Sequence, residues 1–323
     1  MHPALSVIFF TVVSGLAYGT MIFIGLTLAL APAEFSAGAI AFVLALSGAA
    51  AAAGLLSSML HLGRPLRAWR AFSQWRSSWL SREGVAAMVT FIPLGGAFWL
   101  IERVDEGAAL RGAGAALALG ALITLYCTAN IYRSLKTVAA WHNDFVFPGY
   151  LLLGLLGGSV SLWLMAAITP EDDMVPRTRA VLAIATACIG LAGAALKARY
   201  WHWLDHTPAR FDVGAATGLA RFGHVSPGEA PHTEENYLTH EMGFRLARKH
   251  AARLRRIALS LIGMVPFVAA LLALPSCLDL APMSLGVVCA LIAMLAAIAG
   301  AFVERWLFFA EAKHVVMTYY RTE

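Results

Sequence analysis

Residues 145–168 read FVFPGYLLLGLLGGSVSLWLMAAI, a run without Asp, Glu, Lys or Arg. A helix of that length crosses the ~30 Å hydrocarbon core of a bilayer at a rise of about 1.5 Å per residue. Seven further stretches share the property, at about 5–31, 37–60, 84–101, 112–132, 180–196, 257–275 and 280–303. Backbone polar groups in lipid are satisfied only in helices and closed barrels, and strand-length alternation is absent. The expected fold is an all-α integral membrane protein, a bundle of eight transmembrane helices making a single domain over 1–323.

Composition agrees. Of 323 residues, 59% are hydrophobic and only 13% charged, with a mean hydropathy of +0.70. Soluble domains carry roughly a quarter charged residues, so a disordered chain, a nucleic-acid binder and almost any water-soluble fold are excluded. Small residues crowd 50–54, 112–116, 154–161 and 190–195, where they permit close helix approach. Cys127, Cys188, Cys277 and Cys289 form no C-x-x-C pair, so no metal site or iron–sulfur cluster held by this chain alone is expected. Met1–Ser6 carries no Lys or Arg, and the first apolar run is about twice a signal-peptide core. It reads as a retained helix.

With eight crossings, both termini share one face with loops 61–83, 133–144 and 197–256. That face holds 20 of the 24 Lys and Arg; the other holds Arg103, Arg111, Arg177 and Arg179. The positive-inside rule puts the termini and large loops in the cytoplasm of a bacterial inner membrane. Omitting the long loop leaves a bias of 10 to 4. The opposite loops, 32–36, 102–111, 169–179 and 276–279, are too short for a domain.

Three stretches carry chemistry. The first joins helices 2 and 3, from His61, Gly63 and Arg64 through Trp69 and Arg70 to Ser81, Arg82 and Glu83; five arginines alternate with three tryptophans. One reading is an interfacial segment, with tryptophans at headgroup depth and arginines on anionic lipid. The other is a pocket for a quinone, in which His61 and Glu83, at the ends of adjoining helices, give and take protons. The second stretch holds Tyr126, Asn130 and Arg133 at i, i+4 and i+7 of one helix, as partners for a ligand or for a neighbouring helix. The third is the loop 200–254, polar and too poor in apolar residues for its own core. Arg221, His224, His232, Tyr237, Glu241 and Arg245 suit a wet protein interface. Its histidines match no zinc spacing.

These stretches resemble the membrane anchor subunits of the dimethyl sulfoxide reductase type. The likeness covers His2–Thr11, Trp69–Ser73, Ser77–Glu83, Pro231–Lys249 and Glu304–His314, and so spans the chain. It implies an anchor for a molybdenum catalytic subunit and a four-cluster iron–sulfur subunit, which dock on loop 200–254. It implies electron exchange with ubiquinone or menaquinone, with molybdopterin and clusters confined to the partners. By motif, His61 and Glu83 stand where the family has its quinol-linked histidine and glutamate. Within the family, dimethyl sulfoxide reductase anchors oxidise menaquinol, whereas sulfite dehydrogenase anchors serve a cytoplasmic molybdenum subunit and reduce ubiquinone. Docking loops in the cytoplasm favour sulfite oxidation. Two rivals remain at this point. A b-type haem would need facing axial histidines, for which His142 and His202 are the candidates. A transporter would need charged or broken helices at mid-bilayer, with Pro93, Pro148 and Pro266 as possible kinks.

Overall fold

A computed structural model describes residues 4–60, 64–101, 103, 107–170, 176–207, 213–225, 246–278 and 280–320. The helices are α1 (Leu5–Leu30), α2 (Ala37–Met59), α3 (Trp79–Leu100), α4 (Ala108–Arg133), α5 (Val146–Ile168), α6 (Pro176–His206), the short α7 (Val213–Thr217), α8 (Leu246–Leu259), α9 (Val265–Cys277) and α10 (Met283–Ala310). Eight spans among the described residues are long and apolar enough to cross a membrane, the seventh being His250–Cys277, which runs from α8 into α9. The protein is therefore a multi-pass membrane protein.

The first helix lies at the centre of the bundle, against α2, α4, α5 and α10. The α1–α5 crossing works because neither helix has a side chain there. A Cβ on Gly19 would lie 1.7 Å from the Gly154 carbonyl oxygen, so only glycine admits this backbone approach. Further out, α3 packs on α4, and α6, α9 and α10 complete the other flank. Leu46, Ile92, Leu119, Leu272 and Leu295 are exposed, as side chains facing lipid tails should be. Hydroxyls inside the bundle bond back to their own helix: Ser14 to Phe10 O, Thr20 to Leu16 O and Thr186 to Leu182 O. That satisfies them without water.

Between α8 and α9 the helix widens to a π-turn at Ser260–Met264. Pro266 follows and cannot donate to the carbonyl of Ile262. The wide turn accommodates that lost bond, and Gly190 of α6 packs against the freed carbonyl, where a Cβ would approach Ile262 O to 2.6 Å.

At the end bearing the short loops, arginines close helix C-termini. Arg103 donates to Trp99 O, Arg111 to Ala29 O, and the buried Arg179 to Ala166 O and Thr169 O. Cations at these carbonyls meet both the orphan acceptors and the negative end of the helix dipole.

Candidate functional site

The segment between α2 and α3 folds as a 3-10 helix, Pro65–Gln74, with no buried residue. Leu66, Trp69 and Trp75 are exposed, and so are Arg64, Arg67, Arg70 and Arg76. Its opposite edge is fixed to the start of α3 by three contacts. Ser81 donates to the Ala71 carbonyl. Arg82 donates through Nε to Trp75 O at 3.0 Å and through Nη2 to Arg76 O at 2.6 Å, and it lies 4.3 Å over the Trp79 ring. Phe72 covers Gly84, where a Cβ would meet the ring edge at 3.0 Å. Arg82 is thus a strut whose donors are committed to carbonyls, while Arg64 and Arg70 remain exposed. Replacing Ser81 by alanine removes one neutral hydrogen bond, worth about 1 kcal/mol. The expected result is faster proteolysis within 64–78 with the helices intact, read by limited digestion in detergent.

Glu83 follows one residue behind the strut and points inward, 4% exposed. The Thr128 hydroxyl of α4 lies 2.5 Å from its Oε1 and 3.0 Å from Thr124 O, so its one proton is shared between these two acceptors. A buried carboxyl held by a single hydroxyl is an unusual element in an apolar bundle, where charge is costly unless paired. One turn beyond Thr128 on the same helix stands the buried Tyr132.

Outside this carboxyl, Tyr126 is 39% exposed. Its ring meets Trp79 edge-on at 5.8 Å and Phe147 at 5.1 Å. Three aromatic rings from α3, α4 and α5 so form a wall on the outer surface, one helical turn from Glu83. Asn130 does not share that surface: it is buried and donates Nδ2 to Tyr126 O at 2.8 Å, within its own helix. Arg133 pairs with Asp144 at 2.6 Å. The polar face expected on α4 is therefore split between a surface ring, an internal bond and a rim ion pair.

His61 and Gly63 lie outside the described residues, as do His232, Tyr237, Glu241 and Arg245. Arg221 and His224 are exposed, and Arg221 stacks over Phe222 at 4.7 Å. Of the histidines weighed for haem, His142 turns Nδ1 to Arg133 O at 2.6 Å, and His202 lies against His206 with ring centroids 4.1 Å apart. Among the described residues no group of three or more His, Cys, Asp or Glu could hold a metal ion.

Residues passed over by sequence reasoning form a second polar cluster at the same end. Lys197 of α6 pairs with Glu304 of α10, and Arg305 pairs with Glu304 at 2.5 Å; all three side chains are at most 4% exposed. A basic residue just past an apolar run reads as a rim charge, and only a partner on another helix makes it an interior one.

Comparison with known proteins fits this architecture. Residues 1–311 match the family model described as DMSO reductase anchor subunit (DmsC). A sulfite dehydrogenase subunit from Allochromatium vinosum is 30% identical over 100% of this chain and 99% of its own length. An anaerobic dimethyl sulfoxide reductase chain from Escherichia coli is 30% identical over 38% of this chain and 44% of its own. No solved structure matches at a significant level. With eight apolar spans, a buried glutamate behind the helix 2–3 segment and a family match over nearly its whole length, the chain belongs to the DMSO reductase anchor subunit family.

Proposed function

We propose that this chain is the quinone-reactive membrane anchor of a molybdenum oxidoreductase, exchanging electrons between a four-cluster iron–sulfur subunit and the quinone pool. The observation that carries the reading is Glu83: a buried carboxyl, bonded to Thr128, one helical turn from Trp79 in a ring cluster that opens to the surface at Tyr126. A quinone head needs flat apolar walls and a few convergent polar groups. Trp79, Tyr126 and Phe147 supply the walls and Glu83 a proton-exchanging group, so the residues present fit the carrier. When bound, a quinone supplies two-electron, two-proton chemistry between the partner and the lipid phase. Thr128 orients the Glu83 carboxyl, and Arg82 with Ser81 keeps the aromatic segment seated over it. Arg64 and Arg70 provide positive potential at the pocket mouth. His61, two residues past α2 in the sequence, is assigned the second proton, and Gly63 and Trp69 are assigned to the same site.

The termini and basic loops face the cytoplasm on this reading, with the protein in a bacterial inner membrane. Loop 200–254, with Arg221 and His224 exposed, docks the iron–sulfur subunit, which bridges to the molybdenum catalytic subunit. Sulfite oxidation with ubiquinone reduction is favoured over menaquinol oxidation, because the sulfite dehydrogenase relative matches end to end and the dimethyl sulfoxide reductase relative over little more than a third of this chain. His61→Ala tests the assignment. The complex should assemble and keep its turnover with an artificial dye, while quinone-coupled turnover falls by about 100-fold, within the range for a lost general acid or base. Unchanged quinone turnover would remove His61 from the site.

A further inference from the structure

Glu83 is enclosed, so protons cannot reach it directly from water. A second set of buried ionisable groups leads from it to the rim. Tyr150 of α5 and Tyr132 of α4 stack at a centroid distance of 6.0 Å, and Tyr132 stands one helical turn beyond Thr128, the partner of Glu83. The Arg305 guanidinium sits 4.2 Å over the Tyr150 ring and is chelated by Glu304, whose Oε1 also takes the Lys197 ammonium. Lys197 lies 4.6 Å over the Tyr200 ring. Beyond it stands a second triad, in which Arg255 bonds Glu311 at 2.8 Å and Asp205 at 2.6 Å. Asp205 has half its side chain in solvent. Burial holds the Glu311 carboxyl above the ordinary carboxylate range, against the pull of Arg255.

Two features mark this row as more than a structural lock. The charges are staggered: Lys197, Arg305 and Glu304 sum to +1, while Arg255, Glu311 and Asp205 sum to −1. A single proton displaced along the row therefore changes neither end beyond one charge. The row also contains orphaned atoms. Tyr18 Oη is buried with no hydrogen-bond partner among the described residues, and Tyr150 Oη, Arg305 Nη1 and Glu311 Oε2 make no hydrogen bond of good geometry, Tyr150 facing Arg305 and Glu311 facing Trp201. Such atoms in proteins are satisfied by internal water. Beside Tyr150 and Arg305 lies a small, mostly apolar hollow, lined also by Thr11, Gly15 and Gly154 and no larger than a single water molecule.

We propose that Tyr150, Arg305, Glu304 and Lys197, with water held at the orphaned atoms, form a hydrated proton track between Glu83 and the rim at Glu311 and Asp205. The track rests on the quinone reading of Glu83. For each proton that Glu83 passes outward to a quinone oxygen, one proton enters at Asp205 and Glu311 from solvent, one moves on through Lys197 and the water at Tyr150, and one reaches Glu83. The electrons come from the iron–sulfur subunit and do not use the track. Lys197 and Glu304 carry protons; Arg305 is a positioning residue, since a guanidinium does not give up its proton.

The test uses the assembled complex in detergent. Lys197→Arg keeps the charge and the pairing with Glu304 but replaces an ammonium able to give up a proton by a guanidinium that does not. Quinone-coupled turnover should fall at least tenfold, with dye turnover unchanged and a larger solvent deuterium isotope effect. Tyr150→Phe, which deletes only the hydroxyl, should act in the same direction and covers the case in which the arginine does not fit. A readout independent of turnover is hydroxyl-radical footprinting of the resting complex: Tyr150 should be labelled by neighbouring water, whereas the equally buried Leu156 should not. If both variants keep wild-type quinone turnover, or Tyr150 is unlabelled, the track is wrong. Glu83→Gln separates the two ideas. A silent Glu83→Gln overturns the quinone reading itself, whereas a crippled Glu83→Gln beside silent Lys197→Arg and Tyr150→Phe overturns the track alone.

Discussion

Glu83→Gln is expected to cut quinone-coupled turnover by about 100-fold or more while leaving dye-coupled turnover and assembly intact. The magnitude follows from general acid–base catalysis, which contributes roughly 100- to 10,000-fold where a single group moves the proton. Glutamine preserves shape, and its amide oxygen still accepts from Thr128, so the ring contacts among Trp79, Tyr126 and Phe147 are undisturbed. The loss falls on proton exchange alone. Stability should not drop, because the substitution removes a buried ionisable group whose hydrogen-bond partner is a neutral hydroxyl. Parallel assays with a water-soluble dye and a short-chain quinone, each in wild type and variant, check the split. Equal loss in both assays would point to a defect upstream of the quinone.

Gly19→Ala should have the largest effect on the assembled protein. A methyl there lands 1.7 Å from Gly154 O and 2.1 Å from its carbonyl carbon. Both are backbone atoms, so no rotamer change relieves the clash, and α1 and α5 must move apart. Overpacking in a well-filled core costs about 1–3 kcal/mol and sometimes more; with a rigid backbone as the obstacle, a loss of about 3 kcal/mol is expected. Gly96→Ala in α3 is the control, since nothing lies within 4 Å of the position a Cβ would take. Thermal melts of the two variants in the same detergent should differ clearly, with Gly96→Ala at the wild-type value.

The number and order of the spans are legible in the sequence because lipid allows no unpaired charge, and a stretch without Asp, Glu, Lys or Arg is visible without any partner. Helix ends are not legible, for the same reason. The sixth apolar run stops at 196, yet α6 continues to His206, and the last stops at 303, yet α10 continues to Ala310. In each case the run stops at a charge, Lys197 or Glu304, that is neutralised across the bundle by a residue more than 100 positions away. Such pairing exists only in three dimensions. The site is partly legible. Glu83 is conspicuous as a carboxyl at a helix start, and Ser81 and Arg82 as its neighbours. Thr128 is invisible, since a hydroxyl in an apolar helix ordinarily bonds its own backbone, as it also does here. The spacing overstates Asn130: its amide is satisfied one turn back, at Tyr126 O, a local bond that i, i+4 periodicity alone does not reveal.

The glycine crossing bears on how the nascent polypeptide matures. The helix at the heart of the bundle leaves the ribosome well over a hundred residues before Gly154, which carries the surface it fits. Until then the glycine face of α1 lacks its counterpart on α5, while α2 and α4 already cover other faces of the helix. Fragments ending before the fifth helix should therefore be quality-control substrates rather than stable half-molecules, and biogenesis of the anchor should depend on synthesis running past its midpoint.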